Sequence, residues 1–439
     1  MKRFVLALTA LSLLGGCGVF GKDKKKVSPT VGERIAVLAA EAEIEVDPAL
    51  AGVPVTLPVA ATNADWAQSG GSASKSLGHL TLGAAPAQAW RVSIGKGNNI
   101  DGQLASAPVV GGGRVYTIDT LARVTAFNPD TGAQLWRVQV RGEGASEGTL
   151  FGGGVSFDNN RVYVTNGAGF AAALDAATGA TVWQVRLGGP LRGAPTVANE
   201  LVYVMSQDNQ LYALNPADGA IRWTGAAAAE IAGVFGTAAP AAAQGTVVAG
   251  FSSGELNAYR YENGRIVWQD ALARTSISTA VTTLSDIDAD PVIDGGRVYA
   301  VGQGGRMVAL ELTTGQRVWE INVAGISTPW VAGEWIFVVT DEAQLLCISR
   351  SNGHIRWLSQ LPRWRDQKDK KGRIAWSGPV LASDRLVLVS SQGQIAYVSP
   401  FDGAIQSTTP TGESTSLPPV VANNSLYILH DNGQLSAFR

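Results

Sequence analysis

The stretch PDTGAQLW, Pro129 to Trp136, recurs down the chain as AATGATVW, PADGAIRW, YENGRIVW, LTTGQRVW and RSNGHIRW. Each copy sets a small polar residue before a glycine and leaves three residues between that glycine and a tryptophan. The polar-Gly pair suits a tight turn that ends at positive φ, where any Cβ is penalised. The alternation that follows suits a strand leaving the turn. Each copy therefore reads as a hairpin tip and its outgoing strand.

The tryptophans stand at 136, 183, 223, 268, 319 and 357, between 38 and 51 residues apart. Upstream of each tip lie three more β-rich runs broken by turn residues, as in SAPVVGGGRVYTIDTLARVTAFN (106–128) and GAPTVANELVYVMSQDNQLYALN (193–215). Four short strands at this period describe a β-propeller blade. Six complete units end at those tryptophans. A seventh carries PFDGAIQS, with Ser407 at the tryptophan position, and the slot there is expected to hold something smaller than an indole. An eighth begins near STSLPPVVANN but lacks one strand when the sequence stops at Arg439.

The missing strand lies at the other end of the chain. AQAWRVSIG, residues 87–95, has the tryptophan strand without the three runs that should precede it. The expected fold is all-β: an eight-bladed propeller of four-stranded blades over residues 80–439, closed by pairing the N- and C-terminal strands. Such closure hides sheet edges that an open array would have to cap. With 52 glycines, 46% hydrophobic residues and only 16% charged ones, the composition suits many turns and buried strand faces, not a disordered or nucleic-acid-binding chain.

The first residues, MKRFVLALTALSLLGGC, place two basic residues before an apolar run and then small residues before Cys17. This is a secretory signal and not a membrane span. Leu14 to Cys17 resembles the bacterial lipobox, which implies cleavage after residue 16 and acylation of Cys17 as the first mature residue. Gly18, in place of Asp, implies export to the outer membrane. Residues 17–79 are expected to form a lipid-anchored tether, including the solvated run KDKKK, and an irregular leading segment. Within it, TNADWAQSGGSASKSLGH resembles the Trp/Gly-rich start of quinoprotein propellers, and Trp66 is expected on the outside of the ring.

Several motifs that suggest chemistry fail in context. GASEG (144–148) fits the G-x-S-x-G elbow but lacks a helix after Ser146, and SASK (72–75) fits S-x-x-K in irregular sequence. GAGFAA falls where other units have a hairpin turn, so no phosphate site is implied. SDIDADP places Asp286, Asp288 and Asp290 as a calcium loop begins, yet Pro291 and Arg297 stand where such a loop needs Gly and Glu. His79, His354 and His430 have no metal-ligand spacing, and Cys347 on an apolar strand reads as an inert buried thiol. No metal, cofactor or catalytic group is expected.

The Trp-ended repeats are similar to those of pyrroloquinoline-quinone enzymes. With the lipobox and the segment LSDIDADPVIDGGRVYA, the chain resembles the BamB lipoproteins of the outer-membrane β-barrel assembly machinery. That resemblance implies a non-catalytic scaffold on the periplasmic face of the outer membrane, which binds BamA, works beside other Bam subunits and assists unfolded barrel substrates. It places the BamA-binding patch at Val234, Phe235, Asp286 and Asp288, with the carboxylates exposed and Phe235 where the family often has Arg. The alternative is a periplasmic quinoprotein dehydrogenase. The enzymes of that class use adjacent cysteines, a carboxylate base and a calcium set in the axial mouth of the ring, and this chain has no vicinal cysteine pair.

Overall fold

The computed structural model describes residues 44–191, 193–228, 238–272 and 286–439. Residues 44–439 belong to one compact unit built from eight four-stranded antiparallel sheets. In chain order these blades span 109–139, 155–186, 196–226, 241–271, 292–321, 330–360 and 376–410. Blade eight combines Val420–Ala422, Ser425–Leu429 and Gln434–Phe438 with the N-terminal strand Gln88–Ser93. The register Trp90↔Ala437 and Val92↔Leu435 makes the expected closure.

The repeated turn now has a mechanical reading. Its glycines, 132, 179, 219, 264, 315, 353 and 403, have φ of 68–76°. A Cβ on each would lie only 2.5–2.9 Å from the tryptophan ring of the preceding blade, from Trp90 against Gly132 round to Trp357 against Gly403. Each indole N–H also donates to a carbonyl of the turn it covers, for example Trp223 to Tyr261 at 2.7 Å and Trp268 to Leu312 at 2.7 Å. Tryptophan and glycine are thus two halves of one inter-blade contact. The glycine is required both by its φ and by the face of the ring above it.

Inside each blade the tryptophan sits in a row of alternating sizes. Tyr203 pairs with Ala213 and Ala213 with Trp223, so a small residue separates two large ones on one sheet face, and the two rings meet at 5.9 Å. A register shift beside the tryptophan accompanies all eight outer strands. Blade seven inverts the row: Val387 pairs with Tyr397 and Tyr397 with Ser407. Ser407 thus pairs with a ring in the middle of the row, where blade three keeps an alanine beside its tryptophan. Tyr397 occupies the middle of the row as a buried ring with the Arg385 guanidinium 5.2 Å above it. The reason lies in the next blade. Blade eight takes its outer strand from the other end of the chain and has no turn leading into it, hence no glycine there for a tryptophan to cover.

Candidate functional site

In a propeller the natural place for chemistry is the axis, lined here by the first strands of successive blades, which approach one another. The axis of this ring is filled by its own chain. Asn63 accepts from Asn423 N–H at 2.7 Å and donates through Nδ2 to Val421 in blade eight at 2.8 Å. Trp66 exchanges two backbone hydrogen bonds with Val110 in blade one, and Ala67 accepts from Phe157 in blade two. The Gln68 amide binds both the N–H and the carbonyl of Val197 in blade three, each at 2.9 Å. Ala73 and Ser74 accept from Ala242 and Ile293 in blades four and five. Gly78 accepts from the Trp330 indole of blade six, and Leu80 donates to Leu381 of blade seven. Residues 63–80 visit all eight innermost strands in ring order.

This overturns the expectation that Trp66 lies outside the ring. Trp66 is 3% exposed and stacks on Trp330 with centroids 6.0 Å apart and planes 19° apart. The physical cause is the inner sheet edge. The unpaired N–H and C=O groups of eight first strands would face a narrow channel, and the leading segment satisfies them.

Two ionisable groups are carried into this filled axis. Lys75 is 2% exposed, and burial pushes its ammonium down to about 8, opposed by the field of Asp290. Its Nζ donates to Thr196 Oγ1 at 3.1 Å. The Ser72 hydroxyl pairs instead with Ser74 Oγ and the Ser76 carbonyl, so S-x-x-K forms no side-chain dyad. Asp290 is buried as well, which raises its carboxyl above the ordinary range, countered by Lys75, the Ser69 hydroxyl and Ala239 N–H, the last two at 2.6 Å. It thereby ties the axial segment to the start of blade four. Sequence reasoning missed Lys75 and Asp290 as a pair because nothing in the repeat indicates that residues 69–75 cross the ring.

Of the expected partner residues, Val234, Phe235 and the lipidation site Cys17 lie outside the described residues. Asp286 and Asp288 are 1% and 8% exposed, not the exposed carboxylates anticipated. The backbone accounts for this. Ile287 N–H donates to Phe251 in blade four, and its side chain covers Gly250. Asp286 accepts from Gln303 in blade five at 2.9 Å, so the connector is drawn down between the two blades.

The remaining motifs resolve as structure. Gly169, at φ 83°, turns between Arg161–Thr165 and Phe170–Asp175. Cys347 is buried and its thiol is pushed well above the ordinary range by desolvation. Among the described residues no three His, Cys, Asp or Glu side chains converge as a metal site. The residues at the axis do not fit a quinone and calcium centre: an indole stack, the buried Lys75 and Asp290 side chains and a backbone circuit occupy that space.

The family described as outer membrane protein assembly factor BamB matches residues 83–150 and 120–359. The BamB proteins of Shigella dysenteriae and Escherichia coli are 31% and 30% identical over 355 residues, covering 79% of this chain and 87% of each relative. The crystal structure of BamB from Moraxella catarrhalis superposes with a TM-score of 0.69 at 20% identity, over 81% of this chain and all of that one. A europium-containing methanol dehydrogenase shares the fold alone, with a TM-score of 0.66 at 12% identity over 83% of this chain and 89% of that one. Repeat, closure and relatives agree, and the chain belongs to the BamB family of outer membrane protein assembly factors.

Proposed function

We propose that this chain is a non-catalytic scaffold that binds the periplasmic domains of BamA and assists insertion of β-barrel proteins. In this reading it is held at the periplasmic face of the outer membrane through acylated Cys17 and works beside other Bam subunits. The observation that carries the non-catalytic part is the filled axis. Quinone enzymes, by the resemblance above, need that mouth for cofactor and calcium, and here Trp66, Gln68 and Lys75 stand in it. Family membership supports the assembly role.

The BamA-binding patch is placed at Val234, Phe235, Asp286 and Asp288. Burial of Asp286 and Asp288 changes how it must be tested, because Asp288→Arg would force a larger cation into a packed connector. Asp288→Asn removes the charge at nearly constant volume, and Phe235→Glu probes the apolar half. Each variant should weaken capture by purified BamA periplasmic domains by about 1–3 kcal/mol. Thermal melts run beside the pull-downs should show Asp288→Asn folded. Capture at wild-type strength in both variants would remove the patch from these residues.

A further inference from the structure

The outer edges of the blades differ in a way that bears on partners. In blade six the first residue of the outer strand is covered by the chain itself. Val46 forms a parallel bridge to Ile355, and Asp47 N–H donates to the Ile355 carbonyl at 2.9 Å. The covering segment, Ile44-Glu45-Val46-Asp47, alternates apolar and acidic residues. Its acid meets a polar group of that edge, Asp47 Oδ2 lying 2.5 Å from His354 Nδ1, and beyond the segment the Arg356 side chain donates to the Val53 carbonyl at 2.8 Å. Ile355 is left 7% exposed. The molecule thus shows one outer edge accepting an extended alternating segment, with an acidic side chain set against a polar group of the edge it joins.

The same position beside the same register shift is taken by Ile221, Ile266 and Ile405 in blades three, four and seven. These are 51%, 50% and 41% exposed, and no described segment covers them. Blade seven stands apart from the other two. Its outer strand, Ile405–Pro410, reads IQSTTP and holds no charged residue, whereas every other outer strand carries at least one Arg, Asp or Glu. Edge charges are the ordinary guard against unwanted strand pairing, and this edge lacks them. Ile405, Gln406, Ser407 and Thr408 are all exposed. The turn before it presents Phe401, 44% exposed, where the other turns have Asp130, Ala177, Ala217, Glu262, Thr313 or Ser351.

We infer that the outer edge of blade seven is a strand-addition site for an extended, uncharged segment of alternating apolar and polar residues, as in a strand of an unfolded β-barrel protein. Backbone groups of Ile405–Pro410 supply the pairing, and Phe401 and Ile405 are the apolar anchors. Side-chain complementarity selects the occupant: blade six sets His354 against the acid of its covering segment, and the outer strand of blade seven offers no ionisable group to match. The choice of a barrel strand as the natural client rests on the assembly role proposed above.

The test uses the mature full chain and a fluorescein-labelled peptide of alternating valine and threonine, kept soluble by a polyethylene glycol tail. Fluorescence anisotropy should show saturable binding, and amide exchange should slow within residues 405–409, the run before Pro410. Thr408→Lys, which restores an edge charge, and Phe401→Ser should each weaken binding about tenfold or more, with unchanged melting because both side chains are exposed. Ile266→Lys on blade four should leave binding as it was. No binding by the wild-type chain, equal binding by Thr408→Lys, or protection on another blade would overturn the proposal. Capture by BamA domains, measured on the Thr408→Lys chain, separates the two readings. Peptide binding lost with capture kept supports an edge distinct from the BamA patch, and loss of both together counts against it.

Discussion

The rim and the axis of this ring are closed by opposite means. At the rim one device is repeated seven times: an indole lies on a positive-φ glycine of the next blade and donates to a carbonyl of its turn. At the axis a single unrepeated segment, residues 63–80, reaches every blade, by backbone bonds in most cases, by the Gln68 amide at blade three and through the Trp330 indole at blade six. A repeated contact fails locally when one copy is removed. A unique segment that touches every blade fails for all of them together.

The comparison is tested most severely by where the chain begins. A chain starting at Ile100 lacks the strand Gln88–Ser93 and leaves Gln434–Phe438 with an open edge, so it should aggregate. A chain starting at Gly83 keeps that strand but loses Trp66, Leu80 and the bonds to all eight inner edges. It should remain soluble and melt far below a chain starting at Ile44, by more than any single tryptophan substitution lowers it. Size-exclusion chromatography and thermal melts decide the matter. Equal melting of the Gly83 and Ile44 chains would make the axial segment an ornament.

That contrast also explains which parts of the molecule could be read from sequence. Blade number, the closing strand at Trp90 and the odd place of Ser407 were all legible, because a repeat is its own alignment and a break in it stands out. The partner of Ser407 was not. Tyr397 compensates across the strand pair, and only register reveals that the large and small positions have exchanged. The path of Trp66 through Leu80 was illegible for a stronger reason. Its hydrogen bonds are chiefly backbone ones, so they impose little pattern on side chains, and its few signals, Gln68, Lys75 and Asp290, acquire meaning only when residues over two hundred positions apart are brought together. The burial of Asp286 and Asp288 belongs to the same class. Ile287 between them is the residue that faces the core.

The rim gives the next largest effect. Trp223 is 8% exposed, covers Gly264 and packs between Tyr203 and Tyr259, with centroids 5.9 and 6.0 Å away. Trp223→Ala should cost about 3–5 kcal/mol. Ser407→Trp sharpens the point from the other side. It would restore the repeat in sequence, yet with Tyr397 in the row and no turn leading into the outer strand of blade eight it should give no stabilisation. Denaturant midpoints compare the two directly. A gain in Ser407→Trp would mean that the tryptophan contributes through the blade itself and not through the neighbouring turn.

The smallest expected effect lies in contacts that belong to neither device, the side chains that bind the N-terminal strand Gln88–Ser93 to the rest of blade eight. Arg91 reaches across to Ser436 Oγ at 3.0 Å, to the Thr411 carbonyl at 2.9 Å and to His430 Nε2 at 3.3 Å. Ser436 Oγ lies 2.9 Å from the same nitrogen, and Thr415 Oγ1 lies 3.1 Å from Nδ1. His430 must therefore accept through Nε2 and stay neutral. Burial first and Arg91 second push its imidazolium down to about 4. In the unfolded chain the ring titrates near 6.5, so between those values the unfolded state binds a proton that the native state refuses. The stability of the neutral arrangement is complete above about pH 6.5, declines as pH falls and is lost through about pH 4, for a total of about 3 kcal/mol. His430→Gln retains a donor and an acceptor without the titration. Urea unfolding at pH 7 and pH 4.5 should show a larger drop for the wild-type chain than for the variant, since acidic groups elsewhere affect both alike. Identical drops would show that the closing strand is held without regard to the charge on His430.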